Sequence, residues 1–268
     1  MKNTSAQQGA VLFIPHGGGP MPLLGDKSHE ELVAFLQSSK RLIKKPSAIL
    51  MISAHWEEKI ATVTSHPAPE LIYDYFGFPE PAYQIKYPAP GDPGLANTVV
   101  KLLQAQGIET ALDPQRGFDH GMYVPLKLMY PEADIPCVQL SLIDNLDAQA
   151  HIDMGKALNA LINENILIVG SGFSFHNMKE FNGVKQRDLK NEAFEAWLID
   201  TCTNQNTTVD QKERALSQWH RAPYARYCQP REEHLLPLHV CMGAGCATAQ
   251  LVFEKDVIGK KASAFLWQ

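Results

Sequence analysis

Short apolar runs alternate along this 268-residue chain with longer mixed ones, and that rhythm restricts the folds open to it. Runs of four to six residues read as strands at Val11–Ile14, Ala48–Ser53, Ile60–Thr64, Cys137–Leu142, Ile166–Val169, Ala249–Phe253 and Ala262–Trp267. Helices are predicted at Glu30–Ile43, Pro93–Gln106, Met122–Met129, Ala148–Asn163, Leu189–Thr201, Asp210–Gln218 and from about Glu232 to Met242. Strands interleaved with helices of this length imply an α/β class, with a mixed, largely parallel central sheet flanked by helices. No repeat, linker or low-complexity tract divides the chain, so residues 1–268 read as a single domain. In open sheets of this kind ligands bind beyond the carboxyl ends of the strands. The residues that follow each strand are therefore where chemistry is expected.

Composition removes several function classes. A net charge of −5, a pI near 6.1 and the lack of a Lys/Arg block argue against nucleic acid as a partner. No stretch approaches the ~20 apolar residues of a membrane span, so no membrane partner is expected. The opening "MKNTSAQQGA" has no apolar signal core, which predicts a cytoplasmic protein. Five cysteines without paired zinc-type spacing read as free thiols, with Cys241 and Cys246 of "CMGAGC" expected in the core. Nothing in the sequence indicates the oligomeric state.

The stretch "VLFIPHGGGPMPLLGD" ends a buried strand in a histidine and three glycines, so backbone there can approach a ligand without a side chain intervening. His55 in "AILMISAHWE" and His176 in "ILIVGSGFSFH" also follow strands, while His120 and His234 begin predicted helices. A single strand-end histidine is more often a satisfied, partly buried residue than a ligand. Five placed to converge on one rim suggest a site. His29, His66, His151, His220 and His239 lack such context and read as background. Imidazole binds zinc, iron, copper and nickel, and "EEH" offers either Glu233 or His234 as a third ligand beside two histidines. Two histidines with Glu233 would form the facial triad of non-haem Fe(II) oxygenases, whereas three histidines suit zinc or iron equally. Spacing leaves that choice open. The proline-rich segment Phe76–Gly94 reads as an ordered loop over a pocket, and Tyr75, Phe76 and Tyr83 are its candidate substrate-contacting residues.

The segments "HGGGPMPLLGD", "ISAHWE", "YDYFGFPEPAYQIKYPAPGDP", "GFDHGMYVPLKLMYPEADIPCVQLSL", "GSGFSFHN" and "EEHLLPL" together resemble the class III extradiol aromatic ring-opening dioxygenases, nearest the DOPA-dioxygenase branch. The resemblance runs from about Leu12 to Gly243, and many bacterial members read "HGSP" where this chain reads "HGGGP". It implies a metal site at one end of the sheet, holding one divalent ion, Fe(II) for ring cleavage or Zn(II) as found bound. By motif, His16 and His55 would be ligands and His234 the third, with Glu233 its competitor, because a glutamate fills that role in other relatives. His176 would be the catalytic base and a possible fourth ligand, and His120 would contact substrate or bound oxygen. The implied partners are a small catechol-type, DOPA-like diol and O2. Two other readings remain: a zinc hydrolase using the same site, and a non-catalytic metal-binding relative.

Overall fold

In the computed structural model, residues 9–181 and 187–268 are described. Residues 1–8, which carry much of the expectation of no leader, lie outside them. The strands are β1 (Ala10–Pro15), β2 (Ala48–Glu58), β3 (Ala61–Thr64), β4 (Thr110–Asp113), β5 (Cys137–Ile143), β6 (Ile166–Gly172), β7 (Gln250–Val257) and β8 (Lys260–Trp267). They form one sheet in the order β4-β3-β5-β2-β6-β1-β8-β7. Pairings β1–β6, β6–β2, β2–β5 and β3–β4 are parallel, and β3–β5, β1–β8 and β8–β7 are antiparallel. The mixed, largely parallel α/β sheet expected from the sequence is present.

The central strands are apolar at consecutive positions because both faces of the sheet are covered. Val11–Ile14, Ile49–Ile52 and Leu167–Val169 are all fully buried. The helices are α1 (Glu30–Ser39), α2 (Pro93–Ala105), α3 (His120–Met129), α4 (Ala148–Leu158), α5 (Leu189–Thr203), α6 (Val209–Ser217), α7 (Ala225–Cys228) and α8 (Leu236–Gly245). Gly170 of β6 faces Cys241 and Pro237 of α8, while the next residue, Ser171, bonds the carbonyl of Gly121 in α3. Successive strand residues point to opposite faces, so α3 and α8 cover opposite sides of the sheet. Helix α8 is buried on all sides from Leu236 to Ala244, which its uniformly apolar sequence requires. No helix among the described residues is long and apolar enough to cross a membrane.

Several boundaries depart from the sequence reading. Strand β4 was not expected; its four residues are only half-buried at the sheet edge and carry little periodic signal. The last helix begins at Leu236 rather than Glu232, because residues 232–235 close a separate turn on the carbonyl of Glu232. The predicted Ala148–Asn163 helix ends at Leu158 and tightens into a 3₁₀ turn over Asn159–Glu164. Cys241 is buried as expected, whereas Cys246 is exposed: it caps α8 in the left-handed conformation, where the chain turns outward.

Helices α4 and α8 meet through two glycines. A Cβ on Gly155 would stand 2.1 Å from the Val240 carbonyl oxygen, and one on Gly243 would stand 2.0 Å from that of Ile152. Both obstacles are backbone, so neither can swing aside. Gly155→Ala is expected to destabilise the fold by about 1–3 kcal/mol or more through this overlap. Thermal unfolding checks it, with Gln149→Ala, at an exposed position of the same helix, expected to leave Tm nearly unchanged.

Candidate metal centre and active site

The register of the three central parallel strands places the first histidines. Ile14 of β1 and Ser53 of β2 both pair with Ser171 of β6, so the three residues lie level across the sheet. His16 and His55 each stand two residues beyond that level, at the carboxyl edge. His16 directly follows β1, and its N–H donates to the Gly172 carbonyl at 3.1 Å. His55 lies within β2 rather than after it, where pairing with β5 slips between Ile52 and Glu57. Such a bulge re-aims a side chain without ending the strand. His120 is the first residue of α3, and the next residue is glycine for a steric reason: a Cβ there would meet Ser53 Oγ at 2.5 Å and His55 Cδ2 at 3.0 Å. His176 is anchored past β6 by its N–H donating to the Cys228 carbonyl at 2.8 Å. His234 sits in the turn before α8, its carbonyl accepting the Phe173 N–H at 2.9 Å.

All five predicted histidines meet. Nε2 of His16 and Nε2 of His55 are 3.0 Å apart. The ring of His234 is 5.3 Å from His16 and 4.9 Å from His55, centre to centre. His120 lies 3.9 Å from His55, and His176 stacks on His234 at 3.3 Å. Two groups of donor atoms, each within 4.8 Å, can hold a metal ion: His16 with His55 and His120, and His176 with Glu233 and His234. The sequence reading had His120 only as a substrate or oxygen contact, and the structure brings it as close to the first pair as a ligand would be.

The partners of the rings decide which nitrogens are available. Ser171 donates its one hydroxyl proton to the Gly121 carbonyl at 2.5 Å, so it accepts from His16 Nδ1 at 3.0 Å. That leaves His16 Nε2 bare and facing His55. His120 Nδ1 bonds Asp74 at 2.8 Å, and one oxygen of Glu233 receives both His176 Nδ1 at 3.0 Å and His234 Nδ1 at 3.1 Å. A carboxylate behind an imidazole fixes its tautomer and orients its other nitrogen, the arrangement usual around metal-bound histidines. Two nitrogens at 3.0 Å with a bare lone pair between them suit an intervening cation, so this donor set fits a metal.

Burial, with the neighbouring imidazoles His234, His120 and His176 adding to it, holds His16 well below an ordinary histidine pKa. Burial and then the neighbouring rings, His120 first, do the same to His55, and burial takes His234 down to about 4. Glu233 moves the other way from a typical buried acid. Burial raises its carboxyl, but the bonds from His176 and His234 outweigh that and hold it well below the usual carboxylate range. Beneath the cluster, Asp119 accepts from Ser53 Oγ at 2.7 Å, from Gln139 and from Arg116, tying α3 to β2 and β5.

Residues 10–264 match the family described as the catalytic LigB subunit of aromatic ring-opening dioxygenase. The chain belongs to this family of extradiol dioxygenases. It is 42% identical to the 4,5-DOPA dioxygenase extradiol of Beta vulgaris, over 87% of this chain and 86% of that protein. It is 40% identical to the dioxygenase tasH of Hapsidospora irregularis, over 96% of this chain and 85% of that one. The crystal structure of an uncharacterized protein from Escherichia coli K12 superposes with a TM-score of 0.75 at 30% identity, covering 97% of this chain and all of the other.

The dioxygenase opens its histidine cluster into a cavity of about 420 Å³. Tyr75 and Phe76 line it as expected, but Tyr83 does not. Tyr83 lies in a 3₁₀ turn behind Tyr75, ring centres 5.5 Å apart, and its hydroxyl accepts the Phe78 N–H at 3.4 Å. Phe78 takes the wall position instead, against Gly19 of the triple-glycine turn. Gly17 and Gly19 have φ of +85° and +54°, which only glycine adopts readily. Sequence reasoning missed two supports. Asp74 orients His120 from inside "YDYFG", an acid between tyrosines just before the loop read as covering the pocket. His29, set aside as background, is fully buried; its Nε2 accepts the Gly18 N–H at 3.0 Å and its Nδ1 bonds Asp26 at 2.9 Å. The Asp-x-x-His spacing just after the glycines was the available signal.

The lowered histidines carry a linkage consequence. A group whose folded pKa lies below its unfolded value stabilises the fold above the unfolded value and loses that contribution as pH falls. Metal-free protein should therefore lose stability from about pH 6.5 downward, as His16, His55 and His234 take up protons more readily unfolded than folded. Urea unfolding between pH 7.5 and 4.5 checks this. His234→Gln should flatten the slope, and an unchanged slope would show that His234 does not contribute.

Proposed function

We propose that this dioxygenase opens a catechol-type, DOPA-like ring with O2, beside the diol, using one divalent metal ion held by His16, His55 and His234. The whole chain, 1–268, acts as one catalytic domain in this reading. The observation that carries it is the facing His16–His55 pair at 3.0 Å with the His234 ring about 5 Å from both. His234 is preferred to Glu233 as third ligand because both carboxylate oxygens of Glu233 are engaged, one by two imidazoles and the other by Arg231 at 3.3 Å. His120 is assigned to the substrate by its motif, with Asp74 holding its Nδ1 at 2.8 Å so that its other nitrogen faces the cavity. Iron(II) held there would supply the redox capacity that ring opening with O2 requires, which zinc lacks.

The remaining work falls to side chains. His176 takes the proton of a ring hydroxyl at Nε2 while Glu233 receives its Nδ1–H and stabilises the imidazolium that results. His120 presents Nε2 to the substrate oxygen on which negative charge develops, with Asp74 holding the opposite nitrogen. Tyr75 and Phe76 position the ring and exclude water.

Anaerobic loading with Fe(II), then air and a panel of catechols, tests the proposal. A yellow ring-opened product with stoichiometric oxygen uptake is expected, and turnover with zinc alone in the absence of oxygen would replace it with hydrolysis. His176→Ala should retain most of the metal while kcat falls by roughly 10²-fold or more. His234→Ala should lose metal; stoichiometric metal in that variant, with loss in Glu233→Ala, would reassign the third ligand to Glu233.

A further inference from the structure

Polar and apolar groups around the cavity are segregated. The imidazoles and Asp74 occupy its base, and beyond them the wall consists of Phe78, Phe173, Phe181 and Ile258, with Phe76 and Met178 at the mouth. Among the described residues, no lysine or arginine lines it. Some of the polar groups present are already engaged. Asp74 Oδ1 accepts both the ring and the backbone N–H of His120, and the Gly18 N–H is held by His29. Tyr75 turns its hydroxyl away, donating to the Ala82 carbonyl at 2.6 Å and accepting from Tyr123 at 2.9 Å. The two arginines of the surrounding network are also committed. Arg231 pairs with Glu57 and Glu233, and Arg116 bonds Asp119 and lies 4.5 Å over the Trp56 ring.

We infer that the substrate's ring carries an uncharged, apolar substituent, and that the enzyme selects against a carboxylate at that position. The inference rests on the ring-opening reading, and it restricts how far DOPA-like extends: to the diol, not to the carboxylate of the chain. A carboxylate carried into this wall would shed water without meeting a lysine or arginine among the described residues, the costly way to bury a charge. The size fits a substituted ring, since pockets of roughly 300–1,000 Å³ take molecules well above a bare catechol. Phe76 and Met178 are 92% and 68% exposed, so the apolar wall continues out to solvent on two separate segments. Exposed apolar surface at a cavity mouth marks a binding surface, here one that a trailing hydrocarbon chain covers.

The test compares 4-methylcatechol, 4-butylcatechol, 3-(3,4-dihydroxyphenyl)propionate and 4-(2-aminoethyl)catechol. Calorimetric titration into metal-free protein should show 4-butylcatechol binding at least tenfold more tightly than the propionate, with the aminoethyl compound reporting whether Asp74 accepts a cation. Affinity should rise up to roughly fourfold per methylene from methyl to butyl. On the iron-loaded enzyme the same order is expected in kcat/KM. Met178→Lys, at an exposed position that should not disturb folding, is expected to narrow the gap to the propionate severalfold. Equal binding and turnover of the propionate and the apolar catechols would overturn the inference while leaving ring opening intact. Preferential binding of 4-butylcatechol with no ring opening of any compound would sustain the apolar wall and reject the catalytic reading.

Discussion

The parallel ladder joining β1, β6 and β2 is the constraint on which the rest of the site depends. Its register sets Ile14, Ser171 and Ser53 level, so that the residues two positions further on are two histidines on either side of the same strand end. Side-chain direction alternates along a strand, and a slip of one residue would turn an inward ring to the opposite face. The buried apolar content of these strands specifies that register strongly. The metal-binding capability is thus coupled to the hydrophobic core rather than added to it by flexible loops.

Imidazoles gathered without water need their second nitrogens satisfied, and the surrounding elements do this in different ways. Ser171 serves His16 from the sheet itself, Asp74 serves His120 from just before the proline-rich loop, and Glu233 serves two rings from the turn before α8. Each element that delivers an orienting group is also held elsewhere: α3 through Asp119 to Ser53 and Gln139, the α8 turn through the Phe173 N–H on the His234 carbonyl. Rings oriented in this way keep their open nitrogens directed at one another, a repulsive arrangement that a cation relieves. Burial keeps His16, His55 and His234 below ordinary histidine pKa values, which favours the deprotonated form that a metal requires.

Sharp separation of a polar base from an apolar wall divides the labour in the cavity. In the proposed reading the base recognises a diol, and the wall distinguishes what the diol is attached to. The triple-glycine turn lies between the two, and it works because His29 and Asp26 brace it from behind while nothing projects from its front.

Much of this was legible in the chain. Apolar runs identified seven of the eight strands, the central ones because a strand buried on both faces has no alternative composition and the exposed edge strand β7 through its short Leu251–Phe253 run, whereas β4 has no such run. The five site histidines were visible because each stands beside a strand or helix boundary, where side chains of an α/β sheet reach a common edge. Which acid serves which ring was not visible. Asp74 lies 46 residues from His120 and Glu233 lies 57 from His176, and such pairings exist only once the loops have packed. Tyr83 shows the same limit: its composition matched that of its neighbours, but a turn of 3₁₀ helix placed it behind the wall and Phe78 in it. The sequence by itself determined the layered α/β architecture and the chemistry of the donor set, because hydrophobic periodicity and residue type are local properties. Only the tertiary structure decided the orientation of each imidazole and the polarity of the cavity wall, because both depend on contacts between segments that the chain keeps far apart.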